Sequence, residues 1–116
     1  MTYSRGDVVL VNYLHADLRK VSFRPAIVVQ SDALSTNLSQ KILVKITSKK
    51  REGPARVAVA LDSPVARQMG LMTDSVIMTD SIMTTEIREI NRKIGTCPIM
   101  DHVSKALAIA LDIPTR

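Results

Sequence analysis

Two short stretches of this 116-residue chain carry side chains suited to chemistry on a phosphate. The first is Arg24-Pro25, followed by the apolar run Ala26-Ile27-Val28-Val29. Proline cannot donate to a sheet ladder and belongs at the start of a strand, and it pushes the residue before it toward an extended backbone. Arg24 is therefore expected at the rim of a rigid element. Its planar guanidinium can give a phosphate two parallel hydrogen bonds, or can serve in a surface ion pair. The second stretch is Thr47-Ser48, which closes Ile42-Leu43-Val44-Lys45-Ile46, an apolar run with one interior charge. It leads into Lys49-Lys50-Arg51-Glu52-Gly53-Pro54-Ala55-Arg56, where four cations face one carboxylate. Such a loop draws phosphates from a distance and makes binding salt-dependent, or simply keeps a surface solvated.

If the strands carrying Arg24 and Thr47 pair antiparallel, the start of one and the end of the other share a rim. A guanidinium and two hydroxyls would then converge beside the basic loop. That set suits cleavage of RNA, which brings its own nucleophile, the 2′-hydroxyl. The protein need only align it, assist proton transfer and stabilise the charge that builds on phosphorus.

Other chemistries find little support. The two histidines, His15 and His102, are far apart, and Cys97 has no neighbour at zinc-ligand spacing. There is no phosphate loop with its lysine and hydroxyl, no glycine-rich dinucleotide turn and no G-x-S-x-G elbow. No cofactor is implied. A lone cysteine forms no internal disulfide and fits a reducing compartment. No apolar stretch of ~18 residues could span a bilayer, and no secretory signal is evident. A soluble, cytoplasmic protein without a membrane partner is expected, and Arg5-Gly6-Asp7 is not expected to be an adhesion signal. Lys and Arg number 16 against 11 Asp and Glu, a net charge of +5 that favours an anionic partner. The only aromatics are Tyr3, Tyr13 and Phe23, so the core must be aliphatic.

The elements that must position these residues follow from periodicity. Residues 8–11, 26–29, 42–47, 57–61, 75–79 and 92–96 read as short strands, and residues 82–89 as strand or turn. Residues 12–22 form a long polar connection in which Arg19 and Lys20 could meet phosphates. Ser31 or Asp32 could cap one helical turn, and residues 63–70 hold a connection with room for another. From Ile99 the period changes. Ile99, Val103, Ala106, Leu107, Ala110 and Leu111 recur at three and four, one face of an amphipathic helix entered at Pro98 and stopped before Pro114. Strands followed by one C-terminal helix predict a single α+β domain over residues 1–116, a small curled antiparallel, barrel-like sheet with a helix beside it.

Taken in order, these motifs resemble the MazF/PemK family of toxin endoribonucleases. The resemblance rests on Arg5-Gly6-Asp7 before a strand, Arg24-Pro25 with its apolar run, and Thr47-Ser48 at a strand end. Gly70-Leu71, Ser75-Val76, Asp80, Ile94-Gly95 and the helix with Val103 and Ala106-Leu107 follow in the same order. It implies a homodimer with an RNA groove across its interface. It also implies metal-independent, sequence-specific cleavage of single-stranded mRNA, leaving a 2′,3′-cyclic phosphate and a 5′-hydroxyl. By the same resemblance Arg24 and Thr47 are catalytic, with Ser48 beside them, and Asp80 takes the place of an acidic residue used in one branch. That branch has an arginine and a glutamine where this chain has Met78 and Ser81. Arg19, Lys20, Lys49, Lys50, Arg51 and Arg56 are the candidate RNA-binding cations. A cognate antitoxin with a flexible, often acidic tail is the implied partner. Two other readings stand beside this one. One is a non-catalytic gyrase inhibitor of the related CcdB type, acting through the C-terminal helix; the other is a degenerate copy that binds antitoxin only.

Overall fold

One antiparallel sheet organises the protein, of which a computed structural model describes residues 2–14 and 21–114. The strands are β1 (Asp7–Leu14), β2 (Val21–Val28), β3 (Gln40–Thr47), β4 (Arg56–Val59), β5 (Ser75–Glu86) and β6 (Ile90–Thr96). Helix α1 (Pro64–Met69) lies between β4 and β5, and α2 (Met100–Leu111) follows β6. The spatial order is β4-β5-β3-β2-β1-β6, with each neighbouring pair antiparallel. This is the expected α+β architecture, but the sheet stays open: β4 and β6 are edges and do not pair with each other.

Alternation along the central strands feeds a core on each face. Val8, Ile27, Val44, Ile46 and Ile77 pack with Ala66 and Met69 of α1 and with Val103 of α2. Val9, Val11, Ala26, Val28 and Leu43 form the second layer, with Tyr3 and Ile90. Residues 26–29 are thus buried on both faces, which is why their sequence is continuously apolar. Burying each of Ile27, Leu43, Ile46 and Ile77 completely stabilises the fold by roughly 1.5–3 kcal/mol.

Several elements differ from the sequence expectation. Strand β2 begins four residues before Pro25, which sits mid-strand. The β2–β3 ladder runs only from Ala26 to Val28, so this part of β2 has β1 alone beside it, an edge-like setting where proline is tolerated. Residues 82–86 extend β5 to twelve residues, followed by a 3₁₀ turn at Ile87–Glu89. Asp32 caps no helix; its Oδ1 accepts the Arg5 backbone N–H at 2.8 Å. Helix α2 buries Val103 and Ala106, whereas Ala110 and Leu111, expected on the apolar face, are exposed.

The Arg5-Gly6-Asp7 segment is structural throughout. The Arg5 guanidinium donates to the Val29 carbonyl and, at 2.7 Å, to Ser104 Oγ, tying α2 to the end of β2. Asp7 accepts the Ser4 N–H at 2.9 Å and pairs with Lys93 at 3.1 Å.

Helix α1 is capped at both ends. Ser63 Oγ accepts the Ala66 N–H at 3.2 Å, Pro64 sits in the first turn, and Gly70 ends the helix at φ 73°. Here α1 meets β6 backbone to backbone. A Cβ on Gly70 would fall 2.2 Å from the Ile94 carbonyl oxygen, and one on Gly95 would fall 2.4 Å from that of Gln68. Only glycine permits this approach. Replacing Gly95 with alanine forces the helix off the strand and is expected to lower the unfolding free energy by about 1–3 kcal/mol, as overpacking does. Urea denaturation at neutral pH measures the loss.

Candidate functional site

Where the β2–β3 ladder stops, the two strands leave an open groove of about 650 Å³. Phe23, Arg24 and Pro25 of β2 form one wall, and Lys45 to Ser48 form the floor. Lys49 and Arg51 stand at one end, and the chain from Gly70 to Thr73 makes the opposite wall. That wall is fixed from below. The α1–β6 contact holds Gly70, Ser75 Oγ donates to the Thr73 carbonyl at 2.9 Å, and Asp74 Oδ1 accepts the Leu61 N–H at 2.7 Å.

Register explains why Arg24 and Thr47 share the groove. Ala26 faces Lys45 in the last pair of the ladder. Arg24 and Thr47 lie just beyond that last pair, one on each strand, and both line the groove. Arg24 is exposed and makes no ion pair with a described residue. Thr47 Oγ1 accepts the Lys49 backbone N–H at 3.1 Å, which leaves the hydroxyl proton to donate into the groove. Ser48 is exposed beside it.

The charge of the groove is one-sided. Arg24, Lys45, Lys49 and Arg51 line it, and no carboxylate, histidine or cysteine does among the described residues. Lys45, an element of the floor, was visible in the sequence as the single charge inside an apolar strand. Phe23, Met72 and Met78 also line the groove, and nothing local in the sequence marks them. Among the described residues no three of His, Cys, Asp or Glu are grouped to hold a metal ion.

The remaining candidates lie elsewhere. Lys50 is paired with Glu52 at 3.7 Å, both side chains open to solvent, and does not line the groove. Arg56 and Asp80 bind each other through two hydrogen bonds of 2.9 and 3.3 Å, and neither lines the groove. Asp80 belongs to a bulge: β3 pairs Val44 with Ile82 and Lys45 with Met78, leaving Thr79, Asp80 and Ser81 as extra residues on β5. Thr79 is buried, and its hydroxyl and N–H both donate to the Ala55 carbonyl, at 2.6 and 3.1 Å. The bulge therefore anchors the far end of the basic loop. Arg19 and Lys20 fall outside the described residues.

The α+β fold of this chain is one shared with known toxins. Residues 4–111 match the model of the PemK-like, MazF-like toxins of type II toxin-antitoxin systems, and the chain belongs to that family. Solved structures share the fold over nearly the whole chain. One is an endoribonuclease in complex with its cognate antitoxin from a mycobacterial species. It is 24% identical, with a TM-score of 0.76 over 99% of this chain and 100% of that one. The Mycobacterium tuberculosis toxin MazF-mt6 is 19% identical, with a TM-score of 0.74 over 94% and 99%. A MazE-MazF structure from Deinococcus radiodurans is 17% identical, with a TM-score of 0.73 over 98% and 99%. A comparison with curated protein sequences finds no match. No helix among the described residues is long and apolar enough to cross a membrane.

The Arg56 guanidinium, hydrogen-bonded to Asp80, holds that carboxyl below its usual range, and Asp80 in turn raises Arg56. A carboxylate with a depressed pKa contributes stability that is complete above the unfolded value of about 4 and is lost as pH falls through the lower folded value. The difference in melting temperature between the wild type and Asp80→Asn is therefore expected to be constant from about pH 5 to 8. It should shrink at more acid pH, as followed by thermal denaturation across that range.

Proposed function

We propose that this protein is the toxin of a type II toxin-antitoxin pair and acts as a metal-independent endoribonuclease on single-stranded mRNA in the cytoplasm. The observation that carries the reading is the groove itself: four cations together with the hydroxyls of Thr47 and Ser48, and no carboxylate among the described residues, just beyond the end of the β2–β3 ladder. A polyanion satisfies such a surface, and RNA supplies the nucleophile the protein lacks.

In this reading the groove positions the ribose 2′-hydroxyl in line with its own 3′-phosphate. The 2′-oxygen bonds to phosphorus as the bond from phosphorus to the 5′-oxygen breaks. The proton released by the 2′-hydroxyl is matched by the one taken up at the 5′-oxygen, so the products are a 2′,3′-cyclic phosphate and a 5′-hydroxyl. No net proton or water is consumed. Arg24 gives its hydrogen bonds to the non-bridging oxygens, where charge grows in the transition state. The Thr47 hydroxyl, its lone pair engaged by the Lys49 N–H, donates toward the same phosphate and with Ser48 relays the proton. Lys49 and Arg51 bind flanking phosphates. Asp80 takes part by holding Arg56 and the basic loop; a carboxylate kept below its usual pKa is a weak proton acceptor.

Two copies joined side by side would extend the groove to the length of a short RNA sequence, and an acidic antitoxin tail would compete for the same cations. The test is incubation of a long RNA with the purified protein in EDTA, with end-mapping of the products. Cleavage at a short sequence with the stated ends is expected. Arg24→Ala should lower the rate about 100- to 1,000-fold and Thr47→Ala about 100-fold or more, with melting temperatures unchanged. An intact RNA with the wild type, beside inhibited gyrase supercoiling, would replace this reading with the CcdB type.

A further inference from the structure

The hydroxyls and the Arg24 guanidinium belong to one side of the groove only. The β1–β2 register runs unbroken from Val8–Ile27 to Leu14–Val21, so side chains alternate regularly along β2. Ile27 lies in the core that packs on α1, and Pro25 and Phe23 follow it on that face. Ala26 and Val28 lie in the core of the other face, and Arg24 follows them. On β3 the same alternation groups Thr47 with Leu43 on the face of Arg24, opposite Val44 and Ile46. Arg24 and Thr47 therefore line the groove from one face of the sheet, and Phe23 and Pro25 line it from the other.

The second side is apolar and open. Phe23 is 48% exposed, and Met72, on the wall that leaves α1, is 88% exposed. Leu10, the β1 partner of Pro25, lines the groove with them. A lone exposed apolar side chain is ordinary on a protein surface. Large ones gathered on one groove, beside cations, suit a ligand that is itself divided. A nucleotide has that division, with charge on its phosphate and a flat apolar face on its base. In single-stranded RNA the base faces are free to leave their stack and lie on an aromatic ring. Phe23 is the only aromatic side chain among the described residues that line the groove. It is also the chain neighbour of Arg24, so their Cα atoms are fixed about 3.8 Å apart. Its backbone is held by the pairing of Phe23 with Asn12, so the ring needs little ordering when a ligand arrives.

We infer that Phe23 is the base platform of the groove: the base of a nucleotide adjoining the scissile phosphate stacks on its ring while Arg24 holds that phosphate. This rests on the endoribonuclease reading given above. Phe23 makes and breaks no bond; it sets which phosphate of the strand comes to Arg24.

The experiment measures binding of an RNA oligonucleotide that spans the mapped cleavage site and is made non-cleavable by a 2′-deoxy sugar there. A companion series removes one base at a time, leaving an abasic sugar, across the same site. The wild type, Phe23→Ala and Phe23→Tyr are compared, each checked for an unchanged melting temperature. Phe23→Ala is expected to raise the Kd for the intact oligonucleotide roughly 5- to 150-fold, the loss of one stacked base. Phe23→Tyr, which keeps the ring face, should bind as the wild type does. The slope of log affinity against log salt should be the same for all three, because no phosphate contact is lost. At one abasic position, beside the cleavage site, the wild type should weaken by a similar factor and Phe23→Ala should weaken no further. A Phe23→Ala loss that is equal on every abasic oligonucleotide overturns the proposal. So does a lowered salt slope, which would mean that Phe23 acts through Arg24. A Phe23→Ala protein that binds the intact oligonucleotide as the wild type does also overturns it and leaves the apolar side to a peptide partner; if the wild type still cleaves, the endoribonuclease reading stands and this inference alone is lost. A wild type that cuts no RNA ends that reading first, and the role of Phe23 with it.

Discussion

Three residue pairs join β2 to β3, and the groove exists because the ladder stops there. Had the pairing continued past Ala26, the backbone at Pro25 would have faced a neighbour to which it could offer no donor. The strands separate instead. The side chains just beyond the last pair, Arg24 on one strand and Thr47 on the other, then line a space and not a core. A proline that looks like a strand start is thus better understood as the point at which one flank of a longer strand is released. The constraint is local, but its effect is to bring together residues separated by more than twenty positions in the chain.

The opposite wall depends on a different constraint, the contact of α1 with β6. Gly70 and Gly95 allow the helix terminus and the strand to touch through their backbones, and the chain leaving that contact runs along the groove. Both walls are therefore carried by rigid elements: one by the sheet, the other by a capped helix lodged against it. The basic loop is anchored as well, at its start by Thr47 accepting the Lys49 N–H and at its end by Thr79 holding the Ala55 carbonyl. Cations on a loop fixed at both ends lose less freedom on binding a phosphate than cations on a free one.

How much of this could be read from the chain depends on the range of the interaction. The apolar runs at residues 26–29 and 42–47 identify central strands because burial on two faces leaves a continuous pattern, and the change of period after Ile99 identifies α2. Arg24-Pro25 and Thr47-Ser48 stand out because their chemistry is concentrated in adjacent residues. The basic loop stands out for the same reason, yet its members separate in space. Lys49 and Arg51 face the groove, Lys50 turns to Glu52, and Arg56 turns to Asp80. Nothing in a run of like charges says which of them will find an acid twenty-four residues later, because that depends on a bulge in β5 which has no sequence period of its own. Lys45 is the reverse case. It is conspicuous as a charge inside an apolar strand, but its place required the register, since only the pairing sets it between Ala26 and Met78 at the end of the ladder.

The β5 bulge also explains why Asp80 and the groove are kept apart. Without extra residues, β5 would run opposite β3 in one register along its whole length. Inserting Thr79, Asp80 and Ser81 between Met78 and Ile82 shifts the register once. Met78 is left facing Lys45 in the groove, while Asp80 is directed to Arg56 at the edge strand β4. A carboxylate two positions closer to the floor would have stood against Lys45 and neutralised the charge an anionic ligand needs. By pairing Asp80 with Arg56 at the rim, the sheet holds the basic loop in place and leaves no carboxylate of β5 among the described residues that line the groove. The same geometry that attaches the loop is therefore what leaves the groove positive.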